Sequence, residues 1–461
     1  MKRARYLLPI LLSAVILSGC TIKGRFWEDW GQNSQGEEIV ESSVAEAVEP
    51  AKKEANVEQT TAKAEPTATP APTSTPTPTP TPAEPIPDGM IKSEVTGEYI
   101  PDTMKNKRPM AFMIDNVKGA LPQSGISKAS MYFEAPVEGS LTRMMAVFED
   151  YSDLPRVGPL RSCRDYFVSM AAGLDELYVH YGQAAYALPY LESDDVDNLS
   201  GLAWYTNSVF FRDNSFHSAP HNAYTNTEGL LKGIETLGYR IDHFDGYKQQ
   251  YTFHWVGEQS MLEDGQDAAF VATGYPINNP KFYYQPDSGL YLREQYGGPH
   301  VDVENGEQIA VKNIIIEFQN YANYQDSQYL HFDTTAGGKG KYISNGKAID
   351  ITWERPSFYE PVKYKTLDGK DLVLNTGKTF VCLVQNEQIR QCVFGASEET
   401  AVCCVSEEEA AKAEEYNAEW KAAYKYEEDV YLTIMNQERE RCLEAHGGKS
   451  KVQVGMGNGD F

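Results

Sequence analysis

The densest set of chemically capable side chains is an arginine-rich stretch between residues 156 and 164. Arg156, Arg161 and Arg164 lie within these nine residues of a chain whose net charge is −25. Guanidinium groups bind carboxylates and phosphates through paired N–H donors. Gly158 and Pro159 favour a helix that starts directly after them, with its free N–H groups near the arginines. The stretch fits an anion-binding site as well as it fits a set of salt bridges to nearby acids.

Two glutamates upstream, Glu134 and Glu138, are of the residue type that general acid–base chemistry uses. The apolar segment between them favours an extended chain, which separates the two carboxyls by about 13 Å. Glycoside cleavage needs a shorter separation. We therefore expect structural pairing of both glutamates, with Arg143 or Arg161 as the partner.

The histidines offer either a metal site or a catalytic base. His217 and His221 are four residues apart, which suits zinc when both lie on one helix. Pro220 interrupts any regular helix there, and the chain has no C-x-x-C spacing. No metal and no cofactor is predicted. His180 and His221 remain the candidates for a general base.

The acidic composition excludes some partners. Nucleic-acid binding depends on lysines and arginines that neutralise phosphates, and a net charge of −25 is the opposite of that. The same charge disfavours a surface that clings to anionic lipid head groups. We expect no nucleic-acid partner.

The first twenty residues predict where the chain works. Lys2, Arg3 and Arg5 precede an apolar run that ends before Cys20, which is the layout of a secretory signal peptide over residues 1–19. The run is too short to span a bilayer. Its end resembles a bacterial lipobox, which predicts Cys20 as the lipidation site and the outer face of the cell membrane as the location. The alternative is an ordinary cleaved signal with an incidental cysteine.

Residues 20–96 are predicted to be a disordered, acidic and Thr/Pro-rich linker. The first part has few large apolar side chains, so it cannot bury enough surface to offset chain entropy. Alternating Thr and Pro between residues 67 and 82 favours extended polyproline II, which rises about 3.1 Å per residue. The linker would hold the folded part away from the membrane.

The fold class is predicted to be α+β, with an N-terminal α/β domain, a mostly antiparallel β domain and a long C-terminal helix. Strand-like and helix-like segments alternate over residues 97–245, which is typical of an α/β domain. Over residues 246–400, strand-like runs flank turn signals such as Asn345-Gly346, which favour hairpins.

The C-terminal helix is predicted over residues 405–446, followed by a disordered tail over 447–461. Ser406 and Glu409 fit a capping box at its start. Tyr416, Trp420, Tyr424, Tyr431 and Met435 form a largely aromatic stripe at helical spacing. That stripe would either pack against the β domain or dock a partner.

The seven cysteines do not form the pattern of a small secreted disulfide scaffold. Cys382 and Cys392 fit either a bridge across a hairpin or a pair of buried free thiols. Cys403 and Cys404 lie close by in sequence, and their pairing stays open.

The sequence resembles the YerB-type lipoproteins between about residues 105 and 385. The resemblance lies in a set of motifs from both halves of the chain, namely Pro122-Gln123-Ser124-Gly125, Glu138-Gly139-Ser140-Leu141-Thr142-Arg143, Gly158-Pro159-Leu160-Arg161-Ser162-Cys163-Arg164, His180-Tyr181-Gly182, Arg212, Pro220-His221-Asn222-Ala223-Tyr224-Thr225 and Gly298-Pro299-His300-Val301-Asp302. It implies a two-domain lipoprotein of undetermined activity, with a shared pocket in the first domain.

The leading hypothesis is a lipid-anchored protein that binds an anionic envelope ligand, either the carboxylates of wall peptides or the phosphates of wall polymers. The predicted ligand-binding residues are Arg143, Arg156, Arg161, Arg164, His180, Arg212, His221 and Asn222. The expected partners are the membrane, through the lipid anchor, and a cell-wall polymer or an envelope protein. Two alternatives remain: a wall-modifying hydrolase or transferase that uses His180 or His221, and an envelope scaffold that acts through the C-terminal helix.

Overall fold

A computed structural model describes residues 85–324 and 329–424, together with Glu440 and Glu444. The predicted signal peptide, the lipidation site at Cys20, most of the predicted linker and the tail lie outside the described residues. The same holds for most of the predicted helix beyond residue 424. The described residues all fall within one compact unit that begins at Thr79.

Strands dominate the described part of the chain. They are β1 Met90–Lys92, β2 Tyr99–Pro101, β3 Met110–Asp115, β4 Met131–Pro136, β5 Thr142–Phe148, β6 Leu177–His180, β7 Asn198–Ser200, β8 Phe210–Arg212, β9 Ala223–Thr225, β10 Thr252–Phe253, β11 Gln266–Asp267, β12 Phe270–Ala272, β13 Lys281–Gln285, β14 Leu290–Gln295, β15 Gly298–Pro299, β16 Ala310–Val311, β17 Asn313–Gln319, β18 Tyr321–Asn323, β19 Leu330–Phe332, β20 Gly338–Ser344, β21 Lys347–Glu354, β22 Lys363–Thr366, β23 Val373–Leu374, β24 Thr379–Gln385, β25 Val393–Gly395 and β26 Val402–Cys403.

The helices are fewer and lie mostly in the first half and at the end. They are α1 Asp165–Gly173, α2 Leu188–Glu192, α3 Thr206–Val209, α4 Thr227–Leu237 and α5 Glu407–Tyr424. Short 3-10 turns occur at Asp102–Met104, Lys118–Ala120, Ile126–Lys128, Glu138–Ser140, Ala185–Ala187, Asn386–Gln391 and Glu398–Thr400. The predicted α+β class is confirmed.

One sheet of eleven strands runs through both predicted domains. Its order is β11-β21-β20-β17-β24-β4-β5-β3-β6-β7, with β22 paired to β21. The two halves join where β24 pairs in parallel with β4, so that Thr379 lies opposite Met131 and Cys382 opposite Glu134. The N-terminal and C-terminal segments therefore share a continuous sheet.

Both faces of the central strands of this sheet are buried. In β3, Phe112 and Ile114 belong to the apolar core on one side, and Ala111 and Met113 belong to the core on the other. A strand covered on both faces has an unbroken apolar sequence instead of alternation. This is why the sequence of Met110–Asp115 is an apolar run that ends in a single carboxylate.

Folded structure begins before the end of the predicted linker. β1 and β2 form a small antiparallel hairpin inside residues 90–101, with Ile91 opposite Ile100. Ser93 closes its turn by accepting the backbone N–H groups of Val95 and Thr96. The predicted boundary at residue 96 was late because a three-residue strand is too short to stand out from a polar linker.

The helix predicted directly after Pro159 starts later than expected. α1 begins at Asp165, and the residues before it are extended instead. Leu160 bridges to Ile114, and the Arg161 amide donates to the Met113 carbonyl. Because these backbone groups are used at the end of β3, the positive end of a helix does not face Arg161.

The aromatic stripe on α5 is partly packed. The rings of Trp420 and Tyr424 stack on His331 of β19, with centroids 5.9 and 4.8 Å away. Asn417 accepts the Tyr321 backbone N–H, whereas Tyr416 remains 52% exposed. Most of the described stripe therefore contacts the C-terminal segment.

The hairpin β1–β2 is tied to the sheet through a carboxyl that we expect to make stability depend on pH. Ser93 donates to Glu149 over 2.6 Å, and burial raises the pKa of Glu149 to about 7 from 4.5. The folded chain keeps this proton across a range where the unfolded chain loses it. The free energy of unfolding should therefore fall by roughly 2–3 kcal/mol as pH rises from 4.5 to 7.

Urea unfolding at a series of pH values measures this effect. The Glu149→Gln variant should lose this part of the pH dependence, whereas Glu235→Gln, at an exposed helix position, should keep it. Parallel stability profiles for the wild type and Glu149→Gln would contradict the prediction.

Candidate functional site

A buried carboxylate at the C-terminal end of β3 organises the site. Asp115 is only 1% exposed. Its Oδ2 lies 2.7 Å from His221 Nδ1 and 3.3 Å from Arg161 Nε. The side chains of His221 and Arg161 are 26% and 17% exposed. The carboxylate therefore holds a histidine and an arginine that solvent can reach.

The sheet brings these residues to one edge. β3 and β6 are parallel, so their C-terminal ends meet there, and β5 starts at the same edge because it is antiparallel to β3. Arg143 in β5 lies directly opposite Asp115. His221 arrives from the other side, just before β9, where the Leu160 amide donates to the Ala223 carbonyl.

Arg143 adds a second guanidinium behind Arg161. It is 9% exposed and donates to the Ser162 carbonyl oxygen. Burial, together with the nearby Arg164 and Arg161, lowers the pKa of Arg143 to about 10, against the attraction of Glu138 and Asp115. Three guanidiniums thus share two carboxylates, which leaves an excess of positive charge.

Arg212 and Asn222 complete a ring of contacts around this surface. Arg212 donates to Asn222 over 2.6 Å, and its guanidinium lies 4.8 Å from the centre of the Tyr181 ring. The Tyr181 amide in turn donates to the Arg161 carbonyl. Asn222 follows His221 in the chain, and both His221 and Arg161 contact Asp115. These contacts close the ring.

Two of the predicted arginines are occupied by the protein's own acids. Arg164, 6% exposed, forms a two-pronged bond with Glu138. Burial alone would lower the pKa of Arg164, but the bond with Glu138 raises this pKa above its ordinary value. Arg156 lies apart and bridges Asp213 and Glu304 at 2.6 and 2.7 Å. Neither guanidinium is available in the way that Arg161 is.

His180 lies inside the protein. Its ring nitrogens are 2.7 Å from the Gly182 carbonyl and 3.2 Å from Asn198 Oδ1, and its exposure is 0%. Burial lowers the pKa of His180. The structure therefore separates the two histidines that the sequence left as equals, and only His221 reaches solvent.

Glu134 pairs with Arg293 of the C-terminal segment, and not with Arg143 or Arg161 as expected. The two side chains are fully buried with Nη2 and Oε2 2.7 Å apart. Glu134 also accepts Asn116 and Asn278 at 2.9 and 2.6 Å. The partner was not predictable because it lies 159 residues away in sequence.

Other candidate chemistries find no support in the described part of the chain. Burial, against the attraction of Arg164 and Arg143, raises the pKa of the Cys163 thiol to about 12, which disfavours the thiolate that a nucleophilic cysteine needs. Among the described residues, no group of three or more metal-binding side chains could hold a metal ion. Nor does the described part contain a helix long and apolar enough to cross a membrane.

Three sizeable cavities occur away from this surface. One of about 520 Å³ is lined by residues that include Lys312 and Lys378, one of about 560 Å³ by residues that include Asp194 and Tyr239, and one of about 550 Å³ by residues that include Lys341 and Asp350. None of the three is lined by a predicted site residue. The predicted residues instead gather on the surface around Asp115.

Two members of this surface, Asp115 and Tyr181, were not among the site residues predicted from the sequence. Asp115 follows five apolar residues of β3, and a carboxylate at the end of a buried strand was the available signal. Tyr181 directly follows β6, which ends at the same edge. The ends of adjacent parallel strands are where sites of this kind assemble.

The family comparisons agree with the motif pattern. A family model described as the N-terminal domain of a protein of unknown function (DUF3048) matches residues 95–240, and its C-terminal companion matches residues 271–381. The Bacillus subtilis (strain 168) protein named "Putative lipoprotein YerB" is 33% identical over 301 residues, which cover 64% of this chain and 86% of that protein. The crystal structure of YerB from Bacillus subtilis matches with a TM-score of 0.57 and 30% identity, covering 64% of this chain and 96% of that chain.

Proposed function

The chain belongs to the DUF3048 family together with YerB of Bacillus subtilis, and from this premise we propose that it is an extracytoplasmic lipoprotein that binds an anionic envelope ligand. The ligand group is a carboxylate of a wall peptide or a phosphate of a wall polymer. The binding residues are Arg143, Arg161, Arg212, His221 and Asn222. Arg156, Arg164 and His180 are left out because internal contacts occupy them.

One observation carries the proposal. Positive charge exceeds negative charge around Asp115, and Arg161 and His221 present part of it to solvent. A guanidinium with one edge on a buried carboxylate keeps its other N–H groups for a second oxyanion. In a chain of net charge −25, such a local excess of positive charge favours a specific anionic ligand over general attraction.

The lipid anchor rests on two supports. Residues 1–20 have the layout of a signal peptide that ends at a lipobox-like cysteine, Cys20. The Bacillus subtilis relative carries the name of a lipoprotein. Anchoring by acyl chains would leave the folded part free to meet the wall.

Replacing Arg161 by glutamine tests the anion site. We expect the Kd for the ligand to rise about tenfold, which corresponds to one charge-assisted bond of about 1.4 kcal/mol. Isothermal titration with muropeptides in one arm and poly(glycerol phosphate) in the other, at low and moderate salt, measures the affinity and separates the two sources.

Arg156→Gln is the matched control, because its side chain is also 17% exposed and ion-paired but lies outside the ring. It should leave the Kd unchanged. An equal loss in both variants, or no binding of either probe by the wild type, would remove the proposal.

A catalytic role for His221 is the second candidate, and the 2.7 Å bond from its Nδ1 to Asp115 favours it. A carboxylate behind an imidazole fixes its tautomer and supports its action as a general base at Nε2. Incubation with purified wall fragments, followed by mass spectrometry, tests this role. Released products that disappear in His221→Gln would establish catalysis, and unchanged fragments would exclude it for those substrates.

A further inference from the structure

Two buried cysteines face each other just before α5. β25 and β26 are antiparallel, with Val393 opposite Cys403, so the next pair along is Cys392 and Cys404. The Cys404 amide donates to the Cys392 carbonyl over 2.9 Å. Opposed residues in such a pair have Cα atoms about 4.5–5.5 Å apart, which lies within the separation that a disulfide spans.

The surroundings of the two thiols favour this pair over the other cysteines. Cys392 and Cys404 are 0% and 2% exposed and belong to one apolar core. Burial and the neighbouring Cys404 thiol raise the pKa of Cys392 well above its ordinary value. Cys403 is half-buried, and its thiol lies 3.8 Å from the Ile389 carbonyl instead.

We propose that Cys392 and Cys404 form a disulfide as the chain folds in the presence of an external disulfide. The first protein thiolate attacks the external disulfide, which gives a mixed disulfide and releases one external thiol. The second protein thiolate then displaces the other external thiol. The reaction thus converts two protein thiols and one external disulfide into one protein disulfide and two external thiols.

The bond would secure the start of the C-terminal helix. α5 begins at Glu407, three residues after Cys404. Cys392 lies on the neighbouring chain segment, directly before β25. A link between them closes a short loop and restricts the unfolded chain. Since buried thiolates are scarce in the folded protein, exchange is expected during folding, before the core closes.

The inference depends on export, which belongs to the proposed function, but not on the anion site. Full-length exported protein is purified without reductant, alkylated in denaturant and cleaved after glutamate. Cleavage at Glu387 and Glu398 separates Cys382, Cys392 and Cys404 onto different peptides. We expect a linked peptide pair that contains Cys392 and Cys404 and that disappears on reduction.

Cysteine variants identify the disulfide partner of Cys392. Refolding in vitro tests whether the bond can form independently of whether the chain is exported. Cys403→Ser should keep the link, whereas Cys404→Ser should lose it and melt several degrees lower. Wild-type chain refolded with oxidised and reduced glutathione should also form it. Alkylation of both thiols after refolding, or any other partner for either cysteine, overturns the inference. A link that forms with glutathione but not in the exported chain contradicts the proposed location and leaves the geometry standing.

Discussion

Replacing Arg293 by methionine is expected to lower the free energy of unfolding by about 3–5 kcal/mol, because the change strands a buried carboxylate. Arg293 and Glu134 are both 0% exposed and lie 2.7 Å apart. Arg293 also donates to His300 Nδ1 over 2.6 Å, and burial together with Arg293 holds the pKa of His300 well below its usual range. Removing Arg293 therefore also takes the donor away from His300 Nδ1. Urea unfolding followed by circular dichroism gives the free energy.

A double-mutant cycle shows that the loss comes from the pair. Adding Glu134→Gln to Arg293→Met removes the stranded charge, so the double variant should be more stable than the sum of the single changes implies. Arg390→Met is the control, because Arg390 is 33% exposed and its pairs with Glu407 and Glu414 lie at the surface. Its effect should stay below about 1 kcal/mol. Additive effects of Glu134→Gln and Arg293→Met would show that the two residues act independently.

This ion pair also shows what the sequence could not reveal about the architecture. Single elements in both halves were recognisable, since β3 and the hairpin turn at Asn345-Gly346 follow local patterns of burial and turn chemistry. The shared sheet was not, because the pairing of β24 with β4 joins residues about 250 apart. Local periodicity predicts that a strand exists but contains no information about its neighbour.

The candidate site was likewise predictable only in part. The residue types were predictable, because arginines and histidines grouped near glycine and proline favour ligand contact over core packing. Their availability was not, because it depends on which acid each one meets. Arg161 and Arg164 are three residues apart, yet Arg164 is closed off by Glu138 while Arg161 keeps an exposed edge beside Asp115. Only the assembled sheet edge decides between the anion-site and salt-bridge interpretations for each side chain.

Asp115→Asn is expected to tighten anion binding by one to two orders of magnitude. The carboxylate lies within 2.7–3.3 Å of His221 and Arg161, where a unit negative charge repels an incoming anion by several kcal/mol at an effective dielectric of about 20. Asparagine keeps the shape and the Oδ1 acceptor for the Val117 amide. Titration with poly(glycerol phosphate) or muropeptides measures the change, and its dependence on salt should become steeper.

The Asp115→Asn variant also distinguishes the two candidate functions, because an anion-binding site predicts a gain in affinity and a catalytic site predicts a loss of turnover. A general base needs the Asp115 carboxylate to orient the His221 imidazole, so Asp115→Asn would abolish turnover of wall fragments. In an anion site the same change removes the repulsion of the ligand, and we expect this gain to exceed the loss of the Asp115 ion pairs with Arg161 and His221. Asp175→Asn is the control, because Asp175 pairs with Arg240 on a different surface. It should leave the anion affinity unchanged. Weaker binding by Asp115→Asn, with melting unchanged, would mean that the carboxylate positions Arg161 and His221 more than it opposes the ligand, and the affinity argument would fail.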